Sequence, residues 1–110
     1  MSGLLDLERQ KGAPRIYWHR ELPPYDAQPM GEHIVEATSS PVPDTIARRD
    51  ELWNRCRDDL MAKAGERLTE EMVRLGGRYA HVVDESIETR HNPSRGEAWL
   101  AGRFTYMLYR

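Results

Sequence analysis

The sequence predicts an α+β domain in which one long helix packs on a mainly antiparallel sheet of three or four strands. A helical pattern of apolar residues covers about residues 45–75, and segments rich in aromatic and β-branched residues lie on both sides of it. The predicted order is therefore strand, strand, helix, strand, strand. The last two strands are close enough in sequence to form a C-terminal β-hairpin.

The length of 110 residues suits one domain. Residues 1–14 are polar and contain glycine and proline, so we expect a loose N-terminal segment followed by a single domain over residues 15–110. The first strand is predicted at residues 15–22, where Pro23 and Pro24 end it because proline lacks the N–H that a strand ladder needs. After an extended loop, the second strand is predicted at residues 33–38.

The central helix is predicted from a single apolar stripe. Its members are separated by three or four residues after the first: Leu52, Trp53, Cys56, Leu60, Ala64, Leu68, Met72 and Leu75. Asp44 is the expected N-cap, and Gly76 suits the left-handed position that ends a helix. About 30 residues make a helix of roughly 45 Å, against about 27 Å for an eight-residue strand. We therefore expect the helix to overhang its sheet, bend or pack on a second chain.

The hairpin strands are predicted at residues 79–90 and 97–109, joined by a turn at residues 91–96. The register that best matches apolar residues opposes Ile87 to Leu100, Val83 to Phe104 and Tyr79 to Leu108, and it opposes Asp84 to Arg103 on the reverse face.

This register also assigns the remaining side chains of the hairpin to its two faces. It places His81, Glu85 and Tyr106 on the helix-facing side. The reverse face then carries Ala80, Val82, Trp99, Ala101, Thr105 and Met107. One helix cannot cover both faces, so the reverse face is expected to meet another subunit.

Composition excludes several classes of protein. The net charge is −2 with both signs interspersed, so we expect no nucleic-acid partner. No apolar stretch approaches the ~18 residues of a membrane span, and the N-terminus is unlike a secretory signal. With one cysteine, Cys56, there is no internal disulfide, and its place on the helical stripe indicates a small buried hydrophobe. We expect a cytoplasmic protein.

His81, Glu85 and Tyr106 are the catalytic candidates. A histidine beside a carboxylate can act as a general base, and a tyrosine hydroxyl can orient a substrate. The alternative is that these are core or rim residues hydrogen-bonded to their neighbours.

A metal site is a second alternative. His19 and Glu21 share one strand face, and His33 and Glu36 belong to the next strand, so pairing of these strands would bring ligand-type side chains together. No His-x-x-x-His or Cys-x-x-Cys spacing is present, so we predict solvated histidines, no metal and no cofactor.

Tyr17, Trp18, Trp99 and Met107 are predicted to contact a ligand or another subunit, since aromatic residues are common in pockets and interfaces alike.

The junction between helix and third strand carries a resemblance to a known family. In residues 62–83 the helix ends in Leu75-Gly76-Gly77 and leads directly into a strand. This resembles small bacterial β-α-β-β domains such as the YbjQ family, often labelled heavy-metal-binding, and the stress sensor of the Rcs pathway. YbjQ-like proteins form closed rings, so the resemblance implies an oligomer. This chain departs from them in its longer helix and aromatic first strand, and no functional residue can be carried over.

The sequence thus favours a non-enzymatic, self-associating module of the cytoplasm with a structural or small-ligand-binding role and a homodimer as the default state. The alternatives are a small enzyme built on the histidine–carboxylate–tyrosine group and a metal-binding protein that uses its histidines.

Overall fold

The computed structural model describes residues 14–46 and 48–110. It confirms the predicted α+β class with one long α-helix, but the sheet has five strands instead of three or four. In chain order the elements are β1 (Arg15–Trp18), β2 (Pro29–Thr38), β3 (Val42–Pro43), a turn of 3-10 helix (Asp44–Ile46), α1 (Arg49–Leu75), β4 (Tyr79–Asn92) and β5 (Glu97–Tyr109). Of the predicted loose segment 1–14, residues 1–13 lie outside the described part of the chain.

The sheet is mixed, with strand order β1-β4-β5-β2. The strands β2, β3 and β4 all pair antiparallel with β5, whereas β1 runs parallel to β4. The short β3 pairs with β5 on the same side as β2 does, and it is not among the predicted strands. β1 and β2 lie on opposite edges of the sheet, so the strand pairing that a metal site shared by these two strands would require does not occur.

The helix begins later than the sequence predicts. Asp44 starts the 3-10 turn instead of capping α1, and its backbone N–H donates to the carbonyl of Gly96 (2.7 Å). Arg48 occupies the N-cap position without a side-chain cap. The predicted C-terminal end is confirmed, since Gly76 has a φ of 75° and follows Leu75.

The predicted hairpin register is wrong, because the connecting turn is shorter than expected. Asn92 pairs with Glu97, so four residues form the turn, and this shifts the upper part of the hairpin by two residues. A β-bulge between Val82 and Asp84 then absorbs one residue and changes the pairing below it. As a result Ala80 and Val82 face α1 and are fully buried, whereas the sequence assigned them to the reverse face.

The core lies between α1 and one face of the sheet. It comprises the α1 stripe together with alternate residues of β5: Leu52, Cys56, Leu60, Ala64, Leu68 and Met72, and Ala98, Leu100, Phe104, Tyr106 and Leu108. Trp18 packs edge-on against Phe104, with ring centroids 6.0 Å apart. The expected overhang of the helix is wrong, because β4 and β5, at 14 and 13 residues, extend about as far as the 27-residue helix.

Candidate functional site

The sheet face that points away from α1 has no covering element in the part of the chain that the structure describes. We call it the open face. Strand pairing places on it the odd-numbered residues of β5, including Trp99 and Met107, together with Tyr17 of β1 and the even-numbered residues of β4 beyond the bulge. The predicted reverse face is thus correct for β5, and three of the four predicted ligand or interface residues lie on it. Trp18, the fourth, faces the core.

A group of aromatic and apolar side chains lies at the end of the open face where β4 begins and β5 ends. Tyr17 and Tyr79 are in contact, with ring centroids 6.1 Å apart, and Tyr109 lies directly opposite Tyr79 in the register. Ile34, at the neighbouring edge, is 51 % exposed, and Val83 in the bulge is 48 % exposed. Apolar side chains grouped on an uncovered sheet are typical of a surface that meets another molecule.

The other end of the open face, toward the turn between β4 and β5, forms a basin of about 580 Å³. Its large apolar side chain is Trp99, and its four charged side chains form two ion pairs. Arg103 Nε lies 3.7 Å from Glu36 Oε1 across β5 and β2, and Arg90 Nη2 lies 2.5 Å from Glu88 Oε1 along β4. The two charges of each sign balance, so the basin suits a small neutral or zwitterionic molecule with a flat apolar part better than a simple anion.

A second polar group surrounds the bulge. His19, directly after β1, has a φ of 53°, an uncommon conformation for a residue other than glycine. Its Nε2 lies 3.3 Å from Glu85 Oε1, and its carbonyl accepts a hydrogen bond from His81 Nε2 (2.6 Å). Its backbone N–H donates to the Val82 carbonyl (2.8 Å). The other oxygen of Glu85, Oε2, is buried without a hydrogen-bond partner in the described structure. Backbone strain, a bulge and an unpartnered carboxylate oxygen are features that recur at functional sites.

Tyr106 does not belong to this group. Its side chain is 1 % exposed in the core, 5.7 Å from the ring of His33, and burial raises the pKa of its hydroxyl. The predicted placement of three polar side chains on one face is therefore wrong: Glu85 and Tyr106 lie on the helix side of the sheet, and the bulge turns His81 to the open face. The residue that meets Glu85 instead is His19, for which the sequence predicts only a metal ligand or a surface residue.

The histidines do not converge. His19 and His33 belong to opposite edges of the sheet, and His91 lies beside Asp44, with Nδ1 3.3 Å from Oδ1. Glu21 accepts a hydrogen bond from the Trp18 backbone N–H (3.0 Å). Among the described residues no three His, Cys, Asp or Glu side chains are grouped to hold a metal ion.

Cys56 is buried, as predicted, with its Sγ 3.7 Å from the carbonyl of Ser40. Beside it, Asp59 attaches the connector after β2 to α1. Its Oδ2 accepts hydrogen bonds from the Ser40 backbone N–H (2.6 Å) and from Lys63 Nζ (2.9 Å), which together lower the pKa of the Asp59 carboxyl. These contacts are structural and lie away from both candidate groups.

No protein-family model, curated protein or solved structure matches this chain. The likeness to YbjQ-like domains thus stays a prediction from the helix-to-strand junction. Within the described residues, α1 is too polar to cross a membrane. Functional assignment depends on the geometry of the open face and of the bulge.

Proposed function

We propose that the protein is a cytoplasmic, self-associating, non-enzymatic module whose open face packs against the open face of a second copy. The observation that carries the proposal is the position of Trp99 and Met107, which project with three tyrosines from the side of the sheet opposite α1. Two sheets that pack face to face bury such side chains between them at a separation of ~10 Å.

The area available is sufficient for a dimer. Four strands of 4, 10, 14 and 13 residues at ~4.8 Å spacing give a face of roughly 600–800 Å² per copy. Standard protein interfaces bury about 800 Å² per partner. The four charged side chains of the basin form two ion pairs of opposite sign, so the basin brings no net charge to a contact between two copies.

Association would also give the basin around Trp99 a roof. In the single chain the basin is open to solvent, which limits the surface of a small molecule that it can bury. A facing copy would enclose it, so the small-ligand role and self-association belong to the same surface.

The test is sedimentation at micromolar concentration for the natural chain and for Trp99→Glu. A buried glutamate without a partner opposes association, so we expect a smaller species for the variant. Val73→Glu is the matched control, because Val73 is an apolar residue that is 68 % exposed on the outer side of α1. A natural chain that sediments as a monomer, or a Trp99→Glu variant that associates like Val73→Glu, contradicts the proposal.

A second candidate function rests on the contact between His19 Nε2 and Glu85 Oε1 beside the bulge. A carboxylate that lies 3.3 Å from one ring nitrogen of His19 can orient the imidazole and leaves its other nitrogen free as a base or nucleophile. The side chain of His19 is 44 % exposed, so a small substrate can reach it.

This candidate predicts hydrolysis of an activated ester such as p-nitrophenyl acetate. The free imidazole nitrogen attacks the acyl carbon, p-nitrophenolate leaves, and water then cleaves the acyl-imidazole. His19→Gln and Glu85→Gln should reduce the rate to that of the buffer. His91→Gln is the control, since His91 has the same 3.3 Å separation from a carboxylate, that of Asp44. Equal loss in all three variants contradicts a special role for His19.

A further inference from the structure

The outer edge of β4 carries a row of backbone groups whose direction follows from the contacts of β5. Leu100 exchanges two hydrogen bonds with Ser39: its N–H donates to Ser39 Oγ and its carbonyl accepts from the Ser39 N–H, both at 2.9 Å. The backbone of Leu100 therefore points away from β4. Thr89 lies opposite Leu100, so the N–H and carbonyl of Thr89 point away from β5. Strand alternation gives Glu85, Ile87 and His91 the same outward direction.

The first strand covers only the beginning of this edge. It pairs with Tyr79 to Val82, and the last contact is the hydrogen bond from the His19 N–H to the Val82 carbonyl. Beyond it, the outward N–H and carbonyl groups of Glu85, Ile87, Thr89 and His91 meet no backbone partner in the described structure. This open stretch is about 20 Å long.

The opposite edge of the sheet is protected in ways that this one is not. Strand β2 begins with Pro29 and has a register irregularity between Pro29 and Gly31, and both features oppose pairing with a further strand. The residues of β2 whose backbone groups point away from β5 include Glu32 and Glu36. If two copies paired through β2 about an axis at Ile34, Glu32 of one copy would lie opposite Glu36 of the other, and these like charges would repel. Residues 84–92 of β4 contain neither proline nor glycine, and near the end of the strand the acidic Glu88 is followed by the basic Arg90.

We propose that two copies of this chain join β4 to β4, antiparallel, about a two-fold axis at Thr89, so that their sheets form one continuous sheet. In this register Thr89 of one copy pairs with Thr89 of the other, and Ile87 of each copy pairs with His91 of the other. These pairs use six of the outward backbone groups of each copy. Glu88 of one copy lies opposite Arg90 of the other. This contact lies on a different surface from the open face and goes beyond the self-association proposed above.

Two neighbouring registers are less favourable. An axis at Glu88 would place that carboxylate directly opposite itself, and like charges in opposed positions destabilise a strand pair. An axis at Ile87 would bring Asn92 of the second copy beside Val82, whose carbonyl already accepts from His19. The axis at Thr89 avoids both problems.

Cross-linking tests the register. In a Cys56→Ala background, Thr89→Cys would place two cysteines in a hydrogen-bonded pair, where Cα atoms are about 5.5 Å apart and a disulfide can form. We expect mild oxidation to give a covalent dimer at least ten-fold faster than for Val73→Cys, an exposed control position on α1. A rate equal to that control overturns the proposal, as does faster cross-linking of Ile87→Cys than of Thr89→Cys.

Proline substitution tests the edge without using cysteine. Thr89→Pro removes an outward N–H and leaves the β4–β5 ladder intact, so the variant should keep its strand circular dichroism but lose the β4–β4 contact. Arg90→Pro is the control, because the Arg90 N–H points inward to β5 and its loss should lower the melting temperature. Unchanged sedimentation of a folded Thr89→Pro variant overturns the proposal, and Thr89→Lys, which places two like charges at the axis, repeats the test without proline.

The open-face and edge contacts can fail separately. Trp99→Glu should leave Thr89→Cys cross-linking unchanged, because Trp99 lies on the open face and takes no part in the edge contact. Loss of cross-linking in Trp99→Glu would mean that the edge does not associate by itself and overturns the edge proposal. Persistent cross-linking in a Trp99→Glu variant that sediments no smaller than the natural chain would support the edge and contradict the face.

Discussion

Gly102 lies where the centre of β5 approaches the middle of α1, and it is the position at which the packing of helix on sheet can be tested most directly. The residue is buried, and a Cβ atom at this position would lie 2.7 Å from Phe104 Cε2, 2.9 Å from Cζ and 3.2 Å from Leu60 Cδ2. Contacts below 3.0 Å require a neighbour to move. The ring of Phe104 is held edge-on by Trp18, so it cannot rotate away freely.

The expected cost of Gly102→Ala follows from two opposing terms. Insertion of one carbon into a packed core costs about 1–3 kcal/mol, whereas replacement of glycine in a strand recovers roughly 0.5–1 kcal/mol through backbone entropy. The net loss should be about 0.5–2 kcal/mol. For a chain of 110 residues this corresponds to a melting temperature lower by roughly 2–8 °C.

Thermal and urea unfolding of the natural chain, Gly102→Ala and Gly65→Ala measure this difference. Gly65 is the matched control, because a Cβ there meets nothing within 4 Å and alanine is the better helix former, so the variant should gain about 0.5–1 kcal/mol. Phe104→Leu, which shortens the obstructing side chain, should reduce the additional cost of Gly102→Ala. If both glycine variants stabilise the protein equally, the close approach of α1 and β5 is wrong.

Removal of residues 106–110 should unfold or aggregate the protein, because two buried apolar side chains worth ~1.5–3 kcal/mol each and part of the pairing of the central strand β5 are lost. Removal of residues 1–12 should change the melting temperature by no more than about 2 °C. If both truncated proteins melt at the same temperature, the position of β5 is wrong. Asp59 should contribute stability above the pKa of an unfolded aspartate, ~4, and lose it as the pH falls through its lower folded pKa. Urea titrations at pH 7 and pH 3 should therefore show that acid lowers the free energy of unfolding less in Asp59→Asn than in the natural chain. An equal loss in both proteins would mean that the hydrogen bonds from Ser40 and Lys63 do not make stability depend on the protonation of Asp59.

Local sequence patterns were sufficient for the elements that carry a clear period. The α1 stripe, the glycine that ends the helix and the extent of β5 from Glu97 to Tyr109 could all be predicted, because each depends on neighbours within a few residues. The start of α1 could not. Asp44 has the residue type of a cap, but its backbone is engaged by Gly96 across the hairpin turn, a contact distant in sequence.

The faces on which the candidate site residues of β4 lie are set by one extra residue, Val83 in the bulge. Apolar matching over the hairpin assumed continuous alternation, and the bulge at Val83 broke it, which changed the faces of Tyr79 and His81. Trp99 and Met107 were unaffected because β5 alternates without interruption. The parallel pairing of β1 with β4 brings His19 to Glu85, and nothing in the local sequence of either strand indicates that contact.

The two proposed contacts together limit the possible assemblies. The axis that relates two antiparallel edges is perpendicular to the sheet, whereas an axis that relates two facing sheets lies between them and parallel to both. Where two such perpendicular axes intersect, the closed result is a tetramer with three two-fold axes, the commonest symmetric form after the simple dimer. Its mass is about 51 kDa, four times the 12.8 kDa of the chain. Trp99→Glu and Thr89→Pro should each reduce it to a dimer, by different contacts, and the combined variant should be a monomer. If either substitution alone gives the monomer, the chain has one interface instead of two.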